Sequence, residues 1–91
     1  MTAQATAVNV AGTGAVNAGP CTYRGFWLTA TAATTTVTIY DNASAASGTV
    51  LASFTLAANG AASDDITDGL RCANGIFVSA SVAIVGHVRV G

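Results

Sequence analysis

From Val37 to Phe54 apolar and polar residues alternate with a period of two. Val37 and Ile39 share one face while Thr36, Thr38 and Tyr40 share the other. After a loop built only of Asp, Asn, Ala, Ser and Gly, the positions Val50, Ala52, Phe54 and Leu56 fall opposite Leu51, Ser53 and Thr55. This period predicts two half-buried strands. Upstream, Gln4 to Val10 reads as a weak first strand, followed by flexible Gly12-Thr13-Gly14 and the turn signal Asn17-Ala18-Gly19-Pro20. Cys21 to Thr29 is a second strand, with Tyr23, Gly25 and Trp27 on one face and Arg24, Phe26 and Leu28 on the other. Both faces are partly apolar, which suits a strand that is central or covered on each side.

Thr34 to Tyr40 and Thr49 to Leu56 follow. Ile66 to Cys72 holds a short strand with Leu70 and Cys72 on one side, and Asn74-Gly75 makes a turn. Ile76 to Ser81 and Ile84 to Val90 then read as a terminal hairpin. Ala57-Ala58 and Ala61-Ala62 could propagate a helix, but Asn59-Gly60 between them breaks it. About seven short strands, rich in Thr, Val and Ile, predict an all-β chain folded as a small antiparallel β-sandwich or barrel. Jelly-roll-like and immunoglobulin-like topologies both fit. A single domain is expected, with residues 19–91 forming the sandwich and residues 1–18 a flexible or strand-exchanging N-terminal arm.

Only 8% of residues are charged: three Arg, four Asp, no Lys and no Glu, for a net charge of −1. That gives no electrostatic footprint for nucleic acid or an anionic membrane. Ordinary soluble domains carry roughly a quarter charged residues. Either much of this surface meets protein, or Thr, Ser and Asn keep it soluble unaided. Much of the hydrophobic fraction of 52% is Ala, and no run approaches the ~20 apolar residues of a spanning helix. The start MTAQATAVNV has neither a basic nor an apolar signal region, so synthesis in the cytoplasm is expected.

Catalytic chemistry is sparse. The one histidine, His87, shares the polar face of a C-terminal strand with Arg89, and no nucleophile is singled out beside it. The expectation is a protein that is not an enzyme and has no cofactor. Asp64, Asp65 and Asp68, with Asp41 and Asn42, could offer oxygen ligands to calcium. Their spacing does not match an EF-hand loop, and a solvated loop explains Ser63-Asp64-Asp65 equally well. Asp41-Asn42 reads as the start of a turn. Cys21 and Cys72 cannot make a four-ligand zinc site with one histidine. They are either two buried thiols or a disulfide closing a loop of about 50 residues. Trp27 and Tyr23, sharing a face, are either packing residues or an exposed pair suited to sugar or protein contact.

Gly19-Pro20-Cys21-Thr22-Tyr23-Arg24-Gly25-Phe26, the stretch VTIYDNASAASGTVLASF, and Gly69-Leu70 through Asn74-Gly75-Ile76-Phe77-Val78 with a Val-rich last strand together resemble small structural proteins of tailed bacteriophages. The similarity runs from Gly19 to Val90 and lies in the order of the motifs. It implies a small β-sandwich component of the virion, present in many copies. The expected role is a capsid decoration or cement protein whose partners are the major capsid protein and other copies of itself. Trimers would match local symmetry axes on a shell. The alternative is a tail, neck or fibre module that binds a receptor or glycan. Candidate contact residues are Thr2, Gln4, Thr6, Val8 and Val10 in the arm, with Tyr23, Trp27, Asp41 and Asn42.

Overall fold

A computed structural model describes residues 6–31 and 33–91, apart from the side chain of Thr67. Among them are eight strands: β1 (Thr6–Val10), β2 (Gly14–Ala18), β3 (Cys21–Ala30), β4 (Thr35–Asp41), β5 (Thr49–Leu56), β6 (Ala61–Cys72), β7 (Gly75–Ala80) and β8 (Ile84–Val90). They form two four-stranded antiparallel sheets, ordered β1-β8-β3-β6 and β2-β7-β4-β5. The sandwich expectation holds, and the order resolves its topology. The pairs β1/β8, β2/β7, β3/β6 and β4/β5 are the successive rungs of one long folded hairpin. Rolling it places alternate rungs in opposite sheets, which is the eight-stranded jelly roll.

The core lies between the sheets. Phe26, Leu28, Ala30, Ile84 and Val88 of one sheet meet Val37, Ile39, Leu56, Ile76 and Val78 of the other. Phe26 and Phe54 stack across the gap with ring centroids 4.4 Å apart and planes within 3°. Alternation in β4 holds as read, with Val37 and Ile39 fully buried. Thr35, a fully buried polar side chain, is satisfied at the β7–β8 corner. Its Oγ1 accepts from the Val82 amide at 2.9 Å and lies 3.1 Å from Ser81 Oγ.

Four local expectations are corrected. Ile76 to Val90 is not a hairpin: β7 belongs to one sheet and β8 to the other, and the Thr35 hydrogen bonds hold the crossing between them. Gly14–Ala18 forms β2 on the edge beside β7, a strand that its weak apolar pattern does not announce. The segment Thr6–Ala18 thus supplies an edge strand to each sheet of its own chain. Ser63-Asp64-Asp65 lies within β6, because pairing of Ala61–Asp65 with Gly25–Thr29 supplies the ladder bonds a loop would lack.

The fourth correction concerns faces. Tyr23 and Trp27 are on opposite sides of β3: Tyr23 is wholly buried and Trp27 is 44% exposed. Between them the register shifts at Gly25, whose φ of 114° belongs to glycine's range. A bulge adds one residue and so inverts the alternation downstream. The same happens in β5. Ile39 pairs with Ala52 but Tyr40 pairs with Val50, so Leu51 turns toward the core and Val50 outward.

Candidate functional site

Each sheet ends in two edge strands, β1 and β6 on one and β2 and β5 on the other. An edge strand presents unpaired amides and carbonyls along one side, ready to pair with another chain. The four edges differ in chemistry. β6 carries Asp64, Asp65, Asp68 and Arg71, all exposed. β1 (TAVNV), β2 (GAVNA) and β5 (TVLASFTL) carry no charge and no proline. β5 is the longest of these uncharged edges, and its Val50 is 52% exposed.

The outward face of the β1-β8-β3-β6 sheet carries a polar and aromatic row. Asn9 pairs with His87, His87 with Trp27, and Trp27 with Ser63, so one residue from each strand stands in line. The Trp27 and His87 rings lie 6.2 Å apart at 28°. Beside this row Arg89 of β8 reaches across β3. Its guanidinium donates to the Asp64 carbonyl at 2.8 Å and sits 3.9 Å from the Asp65 carboxylate. Gly25 lies beneath that crossing, and a Cβ there would collide with the Asp64 carbonyl. Glycine is therefore what lets β6 approach β3 at this point.

Asp41 closes the other end of the molecule. Its carboxylate accepts from the Asn74 amide at 2.9 Å, the Ala73 amide at 3.2 Å and the Gly75 amide at 3.3 Å. These bonds, led by Asn74, hold the carboxyl below its ordinary range. Asn42 organises the adjoining loop. Its Oδ1 accepts from the Ser44 and Ala45 amides at 2.9 and 3.0 Å, and its Nδ2 donates to the Ser47 carbonyl at 3.1 Å. The turn expected at Asp41-Asn42 is present, and both side chains are engaged in building it.

Cys21 and Cys72 are direct cross-strand partners at the end of the β3/β6 ladder, with no disulfide between them. Cys72 is buried and Cys21 partly so. Burial first, then Cys21 and Asp41 nearby, pushes the Cys72 thiol up to about 11. Tyr23 is buried beside them, and its titration is raised by burial first and then by Asp64. Its hydroxyl makes no hydrogen bond among the described residues.

Of the expected contact residues, Thr6 and Trp27 are exposed and Val8 is half-buried. Val10 and Tyr23 are core residues and offer no contact surface, because β1 dips toward the sandwich at Val10 and the β3 bulge turns Tyr23 inward. Thr2 and Gln4 lie outside the described residues. No group of three or more His, Cys, Asp or Glu side chains among the described residues is placed to hold a metal ion. Sequence reasoning did not find the edge β2 or the Asn9–His87–Trp27–Ser63 row, since both depend on which strands become neighbours.

No protein-family model matches this chain, and neither the curated proteins nor the solved structures hold a significant match to it.

Proposed function

We propose that this chain is a non-enzymatic structural protein of a bacteriophage virion, a decoration or cement protein that binds the major capsid protein lattice and stabilises the head. The observation that carries this reading is the contrast among edges: three of the four are free of charge and proline. A protein that stays monomeric ordinarily protects its edges with Lys, proline or inward charges. Here the unprotected edges become assembly surfaces, used by strand addition to copies of the chain or to the shell. The work is mechanical. Many small interfaces, repeated by the symmetry of the shell, bridge neighbouring capsid subunits and oppose outward pressure.

Two further features support it. The charged fraction of 8% leaves most of the surface able to pack against protein without desolvating ions. Jelly rolls recur in viral capsid domains, an analogy at the level of fold that lends weight but no site. The test is cosedimentation of the purified protein with empty shells of the parent phage, followed by cryo-electron microscopy. Stoichiometric density at symmetric positions is expected. Absence from the shell, with density at the neck or tail, would overturn the head assignment.

Trp27 favours a second reading, a receptor- or glycan-binding module of a tail or fibre. The exposed indole, flanked in register by His87 and Ser63, offers a flat apolar surface with polar groups beside it. Quenching or blue-shift of Trp27 emission on titration with host-surface glycans, abolished in Trp27→Ala, would establish that reading over the first.

A further inference from the structure

The β3/β6 ladder is in two pieces. Gly25–Thr29 pairs continuously with Ala61–Asp65, and Cys21–Tyr23 pairs with Leu70–Cys72. Between them β3 contributes Arg24 alone while β6 inserts residues 66–69, ending at Gly69 with φ of 75°. The far end of β6 is thus an edge segment held by three register pairs beyond a wide bulge. Segments with few ladder bonds and one neighbour open locally at small cost. At the last of those pairs stand Cys21 and Cys72.

We propose that Cys21 and Cys72 join in an intramolecular disulfide when the protein enters an oxidising thiol environment, and that the bond pins this end of β6 to β3. Directly opposed residues of an antiparallel pair have Cα atoms about 4.5–5.5 Å apart, within the roughly 4.4–6.8 Å that a disulfide spans. Their side chains project from the same face, so no strand has to slide or turn over. The buried thiol of Cys72 titrates well above its ordinary value, which leaves the more accessible Cys21 as the first to react.

The oxidant is a small-molecule disulfide such as oxidised glutathione. The Cys21 thiolate attacks one glutathione sulfur, the glutathione S–S bond breaks, and one glutathione leaves and takes up a proton. Cys72 then gives up its proton and attacks Cys21 Sγ, expelling the second glutathione. Two protein S–H bonds become one S–S bond, and both electrons and both protons end on the two glutathiones. This inference does not depend on the virion reading.

The test uses the native protein equilibrated in an oxidising glutathione buffer, quenched in acid, denatured and alkylated. Trypsin cuts after Arg24, Arg71 and Arg89, separating the cysteines into peptides 1–24 and 72–89. The expected result is a linked 1–24/72–89 pair in the monomer, with the intact mass lower by about 2 Da for the two hydrogens lost. Closing a loop of about 50 residues would raise the folding equilibrium by up to about a thousandfold over the reduced protein. Cys21→Ser, changed at the partly exposed position, is expected to fold like the reduced protein and gain nothing on oxidation. Two alkylated cysteines after equilibration, cross-links only between chains, or a bond that leaves stability unchanged would each overturn the proposal.

Discussion

β5 and β6 occupy equivalent places in the two sheets, each outermost and each hydrogen-bonded to one neighbour, yet their chemistry is opposite. β6 carries three Asp and one Arg over 12 residues, breaks its register after Gly25 and is tied down by Arg89 from two strands away. β5 carries no charge over eight residues and turns Val50 outward. A charged, bulged edge resists pairing with another sheet, whereas a neutral edge invites it. Two strands with the same fold position therefore differ in what they allow beyond the molecule. The placement of so few charges, more than their number, sets the two edges apart: all the charge lies on β6 and none on β5.

The strongest way to break the comparison is to detach β6. In Gly25→Ala the new methyl meets the Asp64 carbonyl and the backbone is forced at φ of 114°. Both effects act at the joint between β3 and β6. Destabilisation of about 3 kcal/mol or more is expected, read as a lowered urea midpoint. Wild-type stability in this variant would show that the close approach at Gly25 is not needed.

A charge on β5 tests the other side. Val50→Lys, at an exposed position, is expected to change folding stability by no more than about 0.5 kcal/mol. Its binding to shells, and its self-association in sedimentation velocity, should weaken at least about tenfold, since desolvating one unpaired charge in an interface costs more than 1.4 kcal/mol. Unchanged association would remove β5 from the assembly surface. The converse experiment neutralises β6. Asp64→Asn, Asp65→Asn and Asp68→Asn together should leave the fold intact and make light scattering rise with concentration, as a second edge loses its protection.

The smallest effects come from pH. Asp41 has a folded-state pKa below its unfolded value, so its hydrogen bonds stabilise the protein above the unfolded carboxylate pKa, and this contribution is lost as pH falls through the folded value. Asp41→Asn should flatten that acid limb of the melting curve. Cys72 behaves in the opposite sense. Raised from 9.0 to about 11, it contributes stability below the unfolded thiol pKa, and that contribution is lost as pH rises through this interval. Oxidation to the disulfide should remove that alkaline contribution.

Much of the architecture is legible in the chain. The alternation of Val37 and Ile39 placed β4 with its buried face correctly, and Asn59-Gly60 and Asn74-Gly75 mark real turns, with Asn59 at φ of 59°. The Phe26–Phe54 stack across the sheets joins residues 28 positions apart and is set by the tertiary packing. The misses share a physical origin. Tyr23 and Leu51 change face because bulges at Gly25 and in β5 shift the period by one, and nothing in a single strand's pattern announces a bulge. The Asn9–His87–Trp27–Ser63 row draws on four strands distant in sequence, so no local spacing could reveal it.

Side-chain alternation and turn chemistry are local properties of the backbone, and they already specify short antiparallel strands around an aliphatic core. The jelly-roll order, the recruitment of Thr6–Ala18 into both sheets, the separation of β7 from β8 and the register that sets Cys21 opposite Cys72 arise at the level of the folded chain. Those features depend on which strands become neighbours. Neighbours are chosen by hydrogen-bond closure and core packing across the whole chain, where residues far apart in sequence satisfy one another.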